Sequence, residues 1–271
     1  MGYYVKVENN VTLYVEDINE EGKKTIVFLH GWPGSHELFE YQYDYLAEKG
    51  YRCIGIDQRG FGKSDRPICG YDYNTLSDDV KTVVDLLGLG DFILLGHSTG
   101  GAIAVRYMSR HKGYGVDKLI LCAAAAPSLI KRSYFPYGLK TETIDEIIKG
   151  TYSDRPKILK NFGDIFFYKK PSKCFMEWFI QLGFQAAGWA TAKIADTWLN
   201  EEELFDDMKK IDVQTLIIHG IHDKVCLFPL AEEQHKLIKN SKLLKFENSG
   251  HGIFYDEKEK FNKAVECFIE E

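Results

Sequence analysis

The sequence predicts an α/β protein built on one mostly parallel sheet, with a block of helices inserted into it. The first observation is that short apolar runs alternate with helical patterns from the N-terminus to about residue 122. The second is that this alternation stops and then resumes near the C-terminus. We therefore predict a core domain formed by residues 1–125 and 213–271, with residues 126–212 as a helical cap insertion.

The predicted strands are short apolar runs that are bounded by turn-forming residues. The chain opens with a predicted hairpin, in which Tyr3–Val7 and Val11–Val15 flank Asn9 and Asn10. The remaining predicted strands are Thr25–Leu29, Arg52–Ile56, Phe92–Leu95, Lys118–Cys122, Thr215–His219 and Lys242–Phe246.

The predicted helices have apolar residues at the spacing of an amphipathic helix. In Thr75–Leu87, for example, Leu76, Val80 and Val83 fall on one face. The cap segment shows helical and loop patterns, no clear strand and many aromatic residues. The other predicted helices of the core are 37–49, 102–108, 230–239 and 257–269.

Composition excludes several classes of function. The chain has a net charge of −6, with 45% hydrophobic and 27% charged residues, as in ordinary globular proteins. It has no basic patch for nucleic acid and no apolar run near the roughly 18–20 residues of a membrane span. The six cysteines form no metal-binding pattern, and we find no signal peptide. We expect a cytoplasmic protein with neither a nucleic-acid nor a membrane partner and with no metal.

The most informative motif is Gly96-His97-Ser98-Thr99-Gly100-Gly101, which lies between a predicted strand and a predicted helix. A strand, a tight turn centred on a serine and then a helix is the context of a G-x-S-x-G nucleophile elbow. The glycines are needed because a larger side chain would hold strand and helix apart. The motif predicts that Ser98 is a nucleophile.

A nucleophilic serine needs a general base, and the base needs an orienting acid. His251 follows the last predicted strand between two glycines, and Asp223 follows the strand Thr215–His219. Both lie just past the carboxyl ends of strands, where open α/β sheets build their sites. We therefore predict a catalytic triad of Ser98, Asp223 and His251. Weaker alternatives are Asp206, Asp207 and Asp212 as the acid and His222 as the base, and we interpret His97 and His219 as packing or supporting groups.

Two backbone N–H groups should hold the oxyanion that forms on the substrate. Thr99 is the residue after the nucleophile, and Trp32 lies in the loop after the strand Thr25–Leu29. Because Pro33 has no N–H, Trp32 is the favoured second donor. For the apolar substrate pocket we expect contributions from Phe162, Phe166 and Val225.

These motifs resemble the α/β-hydrolase superfamily, and especially its cofactor-free haloperoxidase (perhydrolase) and arylesterase branch. The branch usually has Phe where His97 stands and Gly where Ala102 stands. The resemblance implies an α/β-hydrolase fold with a mostly parallel eight-stranded sheet, one antiparallel strand and a helical cap, and it implies no cofactor. The matching segments include His30-Gly31-Trp32-Pro33-Gly34, 57–64, Gly70-Tyr71-Asp72-Tyr73, Asp154-Arg155-Pro156, 211–213, 219–223 and Gly250-His251-Gly252.

We therefore expect a serine hydrolase that cleaves small-molecule carboxylic esters through an acyl-enzyme, with perhydrolysis as a side activity. One alternative is hydrolysis of a carbon–carbon, lactone or amide bond by the same triad. Another is a non-catalytic binding protein that kept the hydrolase fold. The sequence leaves the physiological substrate and the formation of a homo-oligomer open.

Overall fold

The computed structural model describes residues 1–271, and a single eight-stranded sheet forms its centre. The spatial order of the strands is β1-β2-β4-β3-β5-β6-β7-β8. β2 runs antiparallel to both of its neighbours, and all other pairs are parallel. This confirms the predicted mostly parallel sheet with one antiparallel strand. The strands are β1 Gly2–Glu8, β2 Val11–Ile18, β3 Thr25–Leu29, β4 Arg52–Ile56, β5 Phe92–His97, β6 Val116–Cys122, β7 Gln214–Gly220 and β8 Ser241–Phe246.

Six helices accompany the sheet, and a short 3₁₀ turn at His36–Phe39 precedes the first of them. Compared with the sequence prediction, the helix after Ser98 begins earlier, because Gly100 and Gly101 fit inside its first turn. The predicted C-terminal helix is preceded by a separate short one. These helices are α1 Glu40–Glu48, α2 Tyr73–Leu86, α3 Thr99–Arg110, α9 Pro229–Leu237, α10 Ile253–Asp256 and α11 Lys258–Glu270.

Five further helices lie between β6 and β7, the stretch in which the sequence predicts a cap. They are α4 Thr141–Ser153, α5 Arg155–Phe166, α6 Lys173–Gln185, α7 Gly188–Asn200 and α8 Leu204–Met208. No strand of the sheet is formed in this stretch, which contains only two isolated bridges. None of the helices of the protein combines the length and the apolar character that crossing a bilayer would require.

The sheet is buried on both faces, as expected for parallel strands covered by helices. In β3, Val27 and Leu29 pack into one hydrophobic core, whereas Ile26 and Phe28 pack into the other. Burial on both faces explains why the central strands are continuous apolar runs. This layer arrangement leaves the carboxyl ends of the parallel strands as the edge at which polar side chains can gather.

The C-terminal part of the cap stretch is tied to the core by polar contacts. Arg106 of α3 is buried, and its guanidinium lies within 2.8 Å of carboxylate oxygens of Glu201, Glu203 and Asp207. The indole N–H of Trp32 donates to the carbonyl oxygen of Thr191 in α7 at 3.1 Å. These contacts attach α7, α8 and the segment between them to the core.

Candidate active site

Ser98 occupies the turn between β5 and α3 in a strained backbone conformation. Its φ of 54° and ψ of −120° are unusual for a residue other than glycine. The surrounding backbone holds this conformation: the Ser98 N–H donates to the carbonyl of Cys122 at 3.0 Å, and the Ser98 carbonyl accepts from Gly101 and Ala125, each at 2.9 Å. The turn therefore has the geometry of a nucleophile elbow.

The two glycines of the motif are required by close backbone contacts. A Cβ atom at Gly100 would lie 2.1 Å from the carbonyl oxygen of Leu29, and one at Gly96 would lie 2.4 Å from the carbonyl oxygen of Gly100. No Cβ atom can occupy such positions unless the backbone moves. The glycines thus allow α3 to pack directly on β3 and β5, which places Ser98 at the edge of the sheet.

Asp223 and His251 form a buried hydrogen-bonded pair. Nδ1 of His251 donates to Oδ2 of Asp223 at 2.8 Å, and neither side chain is exposed to solvent. Oδ1 of Asp223 accepts from the N–H groups of Val225 at 2.8 Å and Cys226 at 2.9 Å. Burial opposes ionisation of the carboxyl, but His251 and His219 beside it outweigh burial and hold the pKa of Asp223 below its ordinary value.

The other ring nitrogen of His251 is left free. With Nδ1 donating to Asp223, Nε2 carries a lone pair, and it is buried without a hydrogen-bond partner. The strand register places the residues after β5, β7 and β8 on one edge, and His97, next to Ser98, contacts the carbonyl of His251 through Nε2 at 3.1 Å. The structure has no hydrogen bond between the Ser98 hydroxyl and His251. Such bonds are often long before substrate binds.

The other candidate acids and the other candidate base lie elsewhere. Asp207 pairs with Arg106 at 2.7 Å, Asp206 pairs with Lys209 at 2.7 Å, and Asp212 is exposed. His222 is also exposed, and its ring stacks on Tyr168 at a centroid distance of 4.1 Å and an interplanar angle of 7°. None of these side chains forms a hydrogen bond or an ion pair with Asp223 or His251.

His219 is a partner of Asp223 that sequence reasoning treated only as a neighbouring group. Its Nε2 lies 3.3 Å from Oδ2 of Asp223 and 2.6 Å from the carbonyl oxygen of Cys226, to which it donates. His219 thus supports the carboxylate opposite His251. The sequence feature that could have indicated this contact is the position of His219 at the end of β7, four residues before Asp223.

Two N–H groups are available beside Ser98. The Trp32 N–H has no acceptor in the protein, and Thr99 is the first residue of α3, where N–H groups have no intrahelical acceptor. The loop that carries Trp32 runs against the nucleophile, since a Cβ atom at Gly31 would lie 2.8 Å from Cβ of Ser98. Both N–H groups therefore lie close to Ser98 in the chain or in space and are free of an acceptor in the protein.

A cavity of about 100 Å³ adjoins Ser98, and Trp32, Phe162 and Val225 line it. The expectation that Phe162 and Val225 contribute to the substrate pocket stays a prediction. Phe166 does not line this cavity; it lines a smaller neighbouring pocket together with Trp32 and Phe162. Its ring is buried against His251 at 4.9 Å, because the end of α5 folds behind the histidine loop. The remaining lining residues, which sequence reasoning missed, are Leu129, Leu139, Thr143, Ile144, Ile147, Ile165, Trp198 and Lys224.

The structure brings together no group of three or more His, Cys, Asp or Glu side chains that could hold a metal ion. The polar groups at the carboxyl edge are those of acid–base and nucleophilic chemistry. A hydroxyl, an unpartnered imidazole nitrogen, a buried carboxylate and two free N–H groups are the parts that acyl transfer requires.

The comparisons with known proteins agree with this fold. The family described as alpha/beta hydrolase fold matches residues 24–158. The AB hydrolase superfamily protein YisY of Bacillus subtilis (strain 168) is 48% identical over 268 residues, which cover 99% of each chain. A putative non-heme chloroperoxidase of Synechocystis sp. is 34% identical over 98% of this chain and 99% of its own length. The solved structure of an esterase (EaEST) from Exiguobacterium antarcticum has a TM-score of 0.97 and 43% identity, with 100% of both chains covered.

The fold and the site thus define a hydrolase-type α/β protein, and the chain belongs to the α/β-hydrolase superfamily. Within that superfamily it belongs to the haloperoxidase-like branch, which includes the non-heme chloroperoxidases.

Proposed function

We propose that this protein is a serine hydrolase that cleaves carboxylic esters through an acyl-enzyme. The observation that carries the proposal is the buried Asp223–His251 pair, which leaves Nε2 of His251 free at the edge that also presents Ser98. The similarity to a solved esterase structure supports the same activity.

In the proposed first half-reaction, the Ser98 oxygen attacks the ester carbonyl, and its proton moves to Nε2 of His251. The carbonyl π electrons move to the oxygen, which accepts hydrogen bonds from the N–H groups of Trp32 and Thr99. Collapse of this intermediate breaks the bond to the alcohol, which takes the proton from His251. Ser98 is left as an ester of the acyl group.

In the second half-reaction, water attacks the acyl group and transfers a proton to His251, and Ser98 leaves with that proton. Asp223 stays ionised throughout, because its neighbours hold its pKa low. Its carboxylate fixes the tautomer of His251 and stabilises the imidazolium that forms in each half-reaction. The cap helices α4, α5 and α7 supply much of the wall that holds the acyl or alcohol group.

Perhydrolysis is a second candidate function, favoured by the relative that is named a putative non-heme chloroperoxidase. Hydrogen peroxide would replace water in the second half-reaction and release a peracid in place of the acid. It needs the same residues, so peracid formation should disappear in every variant that loses the ester activity. Hydrolysis of a carbon–carbon, lactone or amide bond would use the same site. These alternatives are tested in the same way, by assaying such substrates with the native protein and with the variants that lose the ester activity.

The test is the hydrolysis of 4-nitrophenyl butyrate by the native protein and by Ser98→Ala. We expect kcat to fall by about 10⁴-fold or more, since removal of the nucleophile leaves only binding and oxyanion contributions. A matched control is Ser109→Ala, at the far end of the same helix, which should keep the native rate. A fluorophosphonate probe should label the native protein and the control but not Ser98→Ala. Native turnover by Ser98→Ala would refute the proposal, and failure of the native protein to label would favour a binding protein.

A further inference from the structure

The cavity beside Ser98 contains a single charged side chain. Nine of its twelve lining residues are hydrophobic, and the other three are Ser98, Thr143 and Lys224. Ser98 is accounted for by the proposed chemistry. Lys224 and Thr143, two exposed polar residues at an otherwise apolar cavity, have no part in that chemistry.

Lys224 has no counter-ion in the protein. No carboxylate oxygen lies within 4.0 Å of its ammonium, and the adjacent Asp223 is fully engaged by His251, His219 and two N–H groups. The acidic side chains of α4, the helix that supplies Thr143, are exposed and do not line the cavity. They are Glu142, Asp145 and Glu146.

The backbone of Lys224 is fixed although its side chain is free. The next two residues, Val225 and Cys226, donate their N–H groups to Oδ1 of Asp223, which anchors the loop on the proposed acid. The Lys224 side chain is exposed and makes no hydrogen bond inside the protein, so it contributes little to packing. An anchored backbone with a free cation at a cavity wall is suited to recognition of an anion.

We infer that the preferred ester carries a carboxylate, which pairs with Lys224 while the ester carbonyl lies at Ser98. This inference rests on the proposed ester hydrolysis and adds the substrate class. A charge-assisted hydrogen bond beside apolar walls is stronger than one in bulk water. The net charge of the protein is −6, and Lys224 is a local positive charge at the cavity. The Thr143 hydroxyl is a second donor at the same cavity.

The experiment compares kcat/KM for two pairs of esters, corrected for spontaneous hydrolysis. Mono-4-nitrophenyl adipate and 4-nitrophenyl hexanoate have acyl chains of about equal length, and only the first has a carboxylate there. 4-Carboxyphenyl butyrate and phenyl butyrate also differ by one carboxylate, which in this pair lies on the alcohol half of the ester. In at least one pair, we expect the native protein to prefer the anionic ester and Lys224→Met to lower that preference about tenfold. Lys224→Glu should lower it further, and Lys224→Arg should retain it.

Lys239→Met is the matched control, because Lys239 is exposed, has no ion pair and lies away from the cavity. It should keep the native preference in both pairs. Ser98→Ala should abolish turnover of all four esters, and if it does not, the proposed hydrolysis itself fails. If Ser98→Ala is inactive but Lys224→Met and Lys224→Glu keep the native preference in both pairs, the inference about the carboxylate is overturned.

Discussion

The free energy of unfolding of this protein should fall between pH 8 and pH 5, and replacement of His97 by Phe should make that fall much smaller. His97 is completely buried, and its ring centroid lies 5.0 Å from that of Phe254, 5.8 Å from Phe166 and 6.4 Å from Phe39. Its Nε2 donates to the carbonyl of His251, and its Nδ1 has no partner. Burial, with a smaller contribution from the nearby His251, holds the pKa of His97 well below its ordinary value.

The sign of the effect follows from which state binds the proton. In the unfolded chain the imidazole takes up a proton near pH 6.5, whereas the folded protein keeps His97 neutral. The stability of the folded state is therefore fully present above about pH 6.5 and is lost as the pH falls below it. At pH 5 the loss from one such residue is about 2 kcal/mol. His30 is also buried with a lowered pKa, and it retains its own contribution in the variant.

The measurement is urea unfolding of the native protein, His97→Phe and His97→Gln at several pH values from 8 to 5. Neither replacement titrates in this range, so in both variants the free energy of unfolding should fall by about 2 kcal/mol less than in the native protein. The comparison within each variant cancels any change in its stability at pH 8. If both variants lose as much stability as the native protein, His97 is not held neutral and the reasoning is refuted.

Three further predictions concern the proposed acid, the elbow and the attachment of the cap stretch. Asp223→Asn should lower kcat for 4-nitrophenyl butyrate by about 10⁴-fold with native circular dichroism, and a loss below tenfold would exclude Asp223 as the orienting acid. Gly100→Ala should lower the free energy of unfolding in urea by at least about 3 kcal/mol, because its Cβ would lie 2.1 Å from a backbone oxygen. Gly90→Ala is the control, since Gly90 has open space around it, and it should cost less than about 1 kcal/mol. Arg106→Met should cost about 3–5 kcal/mol because it removes the buried guanidinium that pairs with Glu201 and Asp207, and the exposed Arg110→Met should cost about 1 kcal/mol or less. Equal losses in this pair would contradict the structural role of Arg106.

The sequence is sufficient to predict the individual strands and the local geometry of the elbow, because both depend on residues that are close together in the chain. Apolar runs identify the strands, and Gly96 and Gly100 around Ser98 indicate a tight turn between strand and helix. The places of Asp223 and His251 also follow, since the carboxyl ends of parallel strands share one edge. Their hydrogen bond joins residues far apart in the chain. It could still be predicted, because both residues follow parallel strands whose carboxyl ends lie at one edge.

Apolar periodicity is less informative where glycine or tertiary packing determines the structure. The start of α3 at Thr99 was predicted too late, because glycines carry no apolar signal even though they fit the first turn. The surroundings of Phe166 are not determined by the sequence for a different reason. An aromatic residue in a helix can face a cavity or pack against a neighbouring loop, here the loop of His251, and its spacing in the sequence is the same in both cases.

What the sequence by itself determined is the class of fold and the chemical groups at the carboxyl edge of the sheet, with Ser98 as the nucleophile to test. What only the tertiary structure decided is the surroundings of those groups: His219 behind Asp223, Phe166 behind His251, and Lys224 on the wall of the cavity. The physical reason is that periodicity records which side of an element is buried. The partner on that side is set by the packing of the cap helices on the core, through contacts between residues far apart in the chain.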